Sequence, residues 1–204
     1  MVTTSRSILI VEDIPHVLEL LDVTLRYKGY SVVTAKDGEE ALKRIGQAKP
    51  SLILTDIMMP KLDGFALAQE VRSNPDTQDI PIVFVSATFI TPEDKEFALS
   101  LGAVTFLEKP VDTQELLLTV GEVLTETMID RPKPLSEETF YRGYRQRLEA
   151  KLKHKKDQVV RARRLVQAVP EEQREAFESL LQQTESQRDQ IEAELKAFDQ
   201  HLEI

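Results

Sequence analysis

Cysteine is absent from all 204 residues, which excludes disulfide scaffolds and zinc or iron–sulfur sites held by thiolates. Histidine is scarce, and His16, His154 and His201 are too scattered to suggest a His-rich metal centre. No apolar run approaches the roughly 20 residues that a membrane-spanning helix needs. The opening MVTTSRSILIVED lacks the long apolar stretch and small-residue cleavage site of a signal peptide. A soluble, cytoplasmic chain is expected. Glycine and proline are nearly missing from the last third: six of seven Gly and seven of ten Pro precede residue 131. Beyond Arg131-Pro132-Lys133-Pro134 only Gly143 and Pro170 remain. Three regions follow: a turn-rich globular domain over 1–130, a linker over 131–135, and long helix over 136–204.

Charge is segregated in the same way. The formal net charge is −9, and residues 1–130 carry 11 basic against 21 acidic side chains. Residues 135–169 hold 10 basic and 4 acidic groups, whereas 170–204 hold 3 and 10. The bulk acidity therefore says little about partners, and the division between neighbouring segments says more.

In residues 1–130, short β-branched runs alternate with amphipathic stretches. The runs are Ser7–Val11, Tyr30–Thr34, Ser51–Thr55, Pro81–Val85 and Ala103–Leu107. They are almost continuously apolar, as strands buried on both faces are. Helical patterns occupy about 14–28, 38–47, 64–73, 91–101 and 112–126. Asp112 and Glu115 have capping-box spacing ahead of the last of these, and Asp63-Gly64 reads as a turn before the third. Five βα repeats imply an α/β fold, a doubly wound parallel sheet with helices on both faces. Ligands of such sheets sit beyond the carboxyl ends of the strands.

Those ends carry the chemistry. Glu12 and Asp13 follow the first run, Asp56 the third, Ser86 the fourth and Lys109-Pro110 the fifth. Folding would gather three carboxylates, a hydroxyl and an ammonium in one crevice. Crowded carboxylates repel, which raises a pKa or recruits a cation, and a hard oxygen-liganded ion such as Mg²⁺ suits them. An Asp so placed can attack a phosphoryl donor to form an acyl phosphate.

These residues resemble those of the receiver domain of two-component response regulators. The matching segments are ILIVED, LILTDIMMPKLDGF, VFVSAT and GAVTFLEKP, in that order, and the resemblance covers about residues 5–127. It implies a flavodoxin-like, five-stranded sheet of order 2-1-3-4-5 with Asp56 as phosphoacceptor. It implies Asp13 as a direct Mg²⁺ ligand, Glu12 acting mostly through water, and Asp56 and the Met58 backbone carbonyl completing the set. Lys109 would pair with the phosphoryl group, and the Lys109–Pro110 bond would be cis. Ser86 and Phe106 would be the switch residues, in place of the Thr and Tyr often found there. The expected phosphoryl source is a histidine kinase or a histidine phosphotransfer protein. Enzymatic turnover of an outside substrate is not expected, only self-phosphorylation and dephosphorylation at Asp56.

Ser136 is a good N-cap for a helix running to about Val169. Its apolar stripe is Tyr141, Leu148, Leu152, Val159, Ala162, Val166 and Val169, interrupted by Arg145 and Lys155. Pro170, followed by Glu171 and Glu172, fits the first turn of a second helix. That helix carries a heptad stripe of Phe177, Leu181, Thr184, Arg188, Ile191, Leu195, Phe198 and Leu202. An antiparallel hairpin would lay the basic helix along the acidic one. A Pro-kinked helix forming a parallel coiled coil is the competing arrangement. A hairpin covers only part of its stripe, so a second copy, giving a homodimer through these helices, or the receiver's own surface is expected to cover the rest. The ten Lys and Arg of 142–164 raise the alternative of a phosphorylation-controlled nucleic-acid-binding regulator, against which stand the absent helix-turn-helix spacing and the acidic neighbour. His154 is followed by Lys155-Lys156-Asp157, without the acidic residue and helical Pro of a sensor kinase's phosphorylated His, so it reads as a solvated side chain.

Overall fold

A computed structural model describes residues 6–87, 92–125 and 135–202. The Arg131–Pro134 linker therefore lies outside the described residues. The chain divides into two compact units, Met1–Ser136 and Glu137–Ile204.

In the first unit β1 (Ser7–Val11), β2 (Ser31–Ala35), β3 (Leu52–Thr55), β4 (Ile82–Ala87) and β5 (Ala103–Lys109) alternate with five helices. These are α1 (Pro15–Tyr27), α2 (Gly38–Gln47), α3 (Gly64–Ser73), α4 (Pro92–Ser100) and α5 (Thr113–Thr125). The strands form one parallel sheet of order β2-β1-β3-β4-β5. Side chains alternate across it. Ile8, Ile10, Leu52, Leu54, Val83 and Val85 pack in one core with Leu21 and Leu25 of α1 and Leu116 and Val120 of α5. On α3, Phe65 packs on Phe84 of β4 and Phe97 of α4, with ring centroids 5.0 and 5.3 Å apart. Ile8, Leu9, Ile10 and Val11 are each at most 1% exposed, so burial at about 1.5–3 kcal/mol per side chain anchors the central strand.

Local chemistry sets the helix starts. Asp37 caps α2 through Glu40 N at 2.8 Å. Asp63 caps α3 through Phe65 N and Ala66 N, and Asp112 caps α5 through Gln114 N and Glu115 N. Such caps satisfy amide groups that the helix leaves free.

Two strands run further than their apolar runs suggest. Ser86 and Lys109 were expected just past the strands, yet both lie within them, paired in register as Ser86↔Glu108 and Ala87↔Lys109. The parallel ladder continues wherever each strand offers its neighbour backbone partners, regardless of side-chain polarity.

The second unit is α6 (Glu137–Ala168) and α7 (Glu171–Leu202). They run antiparallel: Tyr144 donates to Glu194 Oε1 at 2.6 Å, Lys156 pairs with Glu192, and Arg163 pairs with Glu185. Two details differ from the sequence expectation. Pro170 precedes α7 rather than lying in its first turn, and its carbonyl accepts from Gln173 N at 3.0 Å. The buried face of α6 is also rotated towards Phe140, Tyr144, Arg147 and Leu148, whereas Tyr141 is half-buried. Both tyrosines pack on Phe198, Tyr144 at 5.1 Å and Tyr141 at 5.3 Å, and Phe140 stacks on Tyr144 at 5.5 Å. On α7 only Thr184 of the heptad stripe is buried; Phe177, Leu181, Arg188, Ile191, Leu195 and Phe198 remain half-exposed. The side chain of Leu202 lies outside the described residues.

Candidate functional site

The strand order reverses between β1 and β3, opening a crevice at their carboxyl ends where such sheets bind ligands. Glu12 and Asp13 follow β1 and Asp56 follows β3. One carboxylate oxygen from each lies within 4.8 Å of the other two. Glu12 and Asp56 are buried, whereas Asp13 faces solvent. Lys109 reaches in from the end of β5, and its Nζ donates to Glu12 Oε2 at 2.6 Å and to Asp56 Oδ2 at 2.7 Å. The other Asp56 oxygen accepts from Ile57 N at 2.6 Å and Met58 N at 3.4 Å. Asp56 is thereby oriented by backbone on one side and by an ammonium on the other.

Burial pushes the Glu12 carboxyl above its ordinary pKa, and the charge of Asp56 adds to the rise while the Lys109 hydrogen bond opposes it. Burial and Asp56 likewise raise Asp13. Burial works against the Lys109 ammonium, yet its hydrogen bonds to Asp56 and Glu12 outweigh that and hold its pKa above the usual lysine value. One ammonium among three carboxylates leaves negative charge uncompensated. The donor set is all oxygen and its outer member is open to water, which fits a hard divalent cation that keeps part of its hydration shell.

Glycine controls the approach of α3 to Asp56. A Cβ at Gly64 would stand 2.1 Å from the Asp56 carbonyl oxygen, and Gly64 N donates to Ile57 O at 2.9 Å. Only a residue without a side chain lets α3 begin this close to β3.

The remaining sequence candidates fall into place unevenly. Ser86 is buried near the carboxyl end of β4. Phe106 is half-buried and packs on Phe84, with centroids 5.4 Å apart. Met58 is exposed, and its backbone N–H is directed at Asp56 Oδ1. The Lys109–Pro110 bond is cis. His154 is exposed and lies beside Gln158 on α6.

Two contributors escaped the sequence reading. Lys61, in the loop after Asp56, donates to Asp37 Oδ2 at 2.6 Å. Arg72 of α3 is 2% exposed and donates to the carbonyls of Gln78, Ile80 and Gly102. Nothing in the local pattern marks either, because Lys61 pairs 24 positions away and Arg72 is satisfied by backbone carbonyls 6, 8 and 30 positions on, which no side-chain pattern announces.

Comparison with known proteins agrees with this geometry. The family model described as the response regulator receiver domain matches residues 8–121. The transcriptional regulatory protein PhoP of Bacillus subtilis, named for alkaline phosphatase synthesis, is 35% identical over 132 residues, 63% of this chain and 52% of PhoP. The DNA-binding dual master transcriptional regulator RpaA of Synechocystis is 37% identical over 120 residues, 59% of this chain and 49% of RpaA. The chain thus spans about half the length of the curated relatives it matches. Among solved structures, the Vibrio cholerae chemotaxis protein CheY4 has a TM-score of 0.56 at 33% identity, covering 59% of this chain and 100% of CheY4. A response regulator receiver protein from Pseudomonas putida has a TM-score of 0.56 at 30% identity, covering 59% and 99%. With its sheet order, its acidic crevice and the family match across most of the first unit, the chain belongs to the response regulator receiver domain family of two-component signalling.

Proposed function

We propose that this receiver accepts a phosphoryl group on Asp56 and uses the change to control self-association of its helical hairpin. The observation that carries the first half is the convergence of Glu12, Asp13 and Asp56 with Lys109 bridging two of them. Asp13, Asp56 and the Met58 backbone carbonyl, with Glu12 through water, would hold Mg²⁺. When bound, the ion supplies positive charge that offsets the carboxylates and the incoming phosphoryl oxygens. An Asp56 oxygen attacks phosphorus of a phosphohistidine donor, forming the O–P bond of an acyl phosphate as the P–N bond breaks. The electron pair leaves with the imidazole, which takes up a proton. Lys109 then exchanges its bond to the Asp56 carboxylate for one to a phosphoryl oxygen, and the Ser86 hydroxyl donates to another. The donor is a histidine kinase or a histidine phosphotransfer protein. Water later attacks the same phosphorus, the Asp56 O–P bond breaks, inorganic phosphate leaves and Asp56 returns to the carboxylate, so the chain acts on itself and turns over no other substrate.

Self-association rests on the hairpin's incomplete seam. Leu165 and Leu180 are 44% and 47% exposed, and the stripe from Phe177 to Phe198 is half-exposed. A second copy is the proposed occupant, because its own half-exposed stripe would cover the same apolar side chains. The relatives named as transcriptional regulators keep a nucleic-acid output in view. Against it, Arg145, Lys156 and Arg163 of α6 are already paired with Asp199, Glu192 and Glu185 of α7. Sedimentation of the full chain with and without beryllofluoride and Mg²⁺ tests the reading. A change of mass with altered hydrogen exchange over 137–202 is expected; identical mass and exchange in both states would overturn it, and salt-sensitive retention on DNA would favour the alternative.

A further inference from the structure

The loop Ile57–Leu62 joins Asp56 to the start of α3 and carries the Met58 carbonyl. Its base is closed by the Gly64 N to Ile57 O bond. Its far side rests against the N-terminus of α2. Gly38 N donates to Leu62 O at 3.0 Å, and a Cβ on Gly38 would stand 2.5 Å from that oxygen. Beside this contact, Lys61 Nζ reaches Asp37 Oδ2 at 2.6 Å across 24 positions of sequence. Lys61 has φ 66°, the single non-glycine residue with positive φ among the described residues. That conformation is costly for a side-chain-bearing residue, and such strain persists only where surrounding contacts impose it. Asp37 is itself fixed: it is 2% exposed and its other oxygen caps α2 through Glu40 N. The loop therefore leans on a rigid carboxylate held outside the acidic crevice.

Building on the phosphoacceptor reading above, we propose that Asp37 and Lys61 are positioning residues for the cation site. Their ion pair holds the loop so that the Met58 carbonyl faces the space between Asp13 and Asp56. Neither touches the phosphoryl group or the ion. The pair acts through the backbone of four residues, and its loss frees the carbonyl to rotate without removing any carboxylate.

The test is Mg²⁺ titration of the full chain by calorimetry, with urea unfolding in the absence of Mg²⁺ as the structural control. Lys61→Met is expected to weaken Mg²⁺ binding about threefold to fivefold, the scale of a partly exposed ion pair. Lys61→Arg is expected to restore it. Asp37→Asn keeps the cap and loses the charge; it should weaken binding as much as Lys61→Met, and the double variant no further. Lys61→Gly accepts the positive φ without strain, so it should stay folded and still bind weakly. An unchanged Mg²⁺ affinity in Lys61→Met and Lys61→Gly, with only the urea midpoint moved, would overturn the proposal. So would additive losses in the double variant. Asp13→Asn separates the two levels of inference: it should weaken binding more than tenfold. If it does not, the cation reading of the crevice fails, rather than the positioning role alone.

Discussion

The two units bury their apolar side chains to different depths. In the receiver, strand residues such as Ile8, Leu52, Ile53 and Phe84 are fully buried, covered by helices on both faces of the sheet. In the hairpin, Leu148 and Val159 are buried, yet the heptad stripe of α7 stays half-exposed along most of its length. A sheet sandwiched between helix layers closes its own core, whereas two helices can cover only one side of each other. The receiver's core is closed within its own unit, while the hairpin leaves an apolar stripe half-exposed. Charge follows the same contrast: the receiver concentrates acid in one crevice, and the hairpin spreads opposite charges along two facing helices.

The largest effect expected from breaking this contrast lies in the crevice. Asp56→Asn should reduce phosphoryl incorporation from a small-molecule donor with Mg²⁺ to background, read as hydroxylamine-labile phosphate, while the hairpin's helicity is unchanged. Next come the cores. Phe65→Ala should destabilise the receiver by about 3–5 kcal/mol, whereas Leu181→Ala in the half-exposed seam should cost about 1 kcal/mol or less at dilute concentration. Equal losses in urea would mean that the seam is covered like a core. Gly64→Ala should cost about 1–3 kcal/mol through the clash with the Asp56 carbonyl and also slow phosphorylation, an effect that a purely local defect elsewhere on α3 would not produce.

Acidity gives a smaller and opposite pair of effects. The folded-state pKa of Glu12 is raised above 4.5, so the folded state binds extra proton and stability falls as pH rises through that window. Glu12→Gln should flatten this part of the profile. The folded-state pKa of Asp37 is lowered below 3.8, chiefly by the Lys61 hydrogen bond. Its contribution is complete above 3.8 and is lost as pH falls through the lowered value, so Asp37→Asn should show less acid destabilisation than the wild type. Melting temperature against pH, without Mg²⁺, separates the two signs. The smallest effect belongs to the hairpin surface. Arg163→Ala removes the pair with Glu185 and should cost no more than about 1 kcal/mol, shrinking further in high salt.

Much of the receiver was legible from local pattern. The run at Ser7–Val11 announced a buried strand, the run at Ala103–Leu107 became an edge strand in which only Leu107 is buried, and the helices at 38–47 and 64–73 have the expected limits. Asp56 stood out because four strand-end motifs occurred in order. The hairpin was less legible, since the stripe through Tyr141 gave no hint that Phe140 and Tyr144 would take the buried side, with Phe140 stacked on Tyr144 and Tyr144 packed on Phe198. Neither Lys61 nor Arg72 follows directly on a strand, and nothing in their local sequence singled them out.

The sequence by itself determined which segments become strands and helices, where turns interrupt them, and which carboxylates follow which strands. Those properties depend on side-chain period, backbone preference and caps within a few residues. Only the tertiary structure decided that one lysine would bridge Glu12 and Asp56, across 97 and 53 positions. It alone set the extra length of β4 and β5, the turn of the chain at Pro170, and the strap from Lys61 to Asp37. Each of those depends on backbone groups or charges brought together by the sheet order and the helix pairing, and no local window of sequence contains both partners.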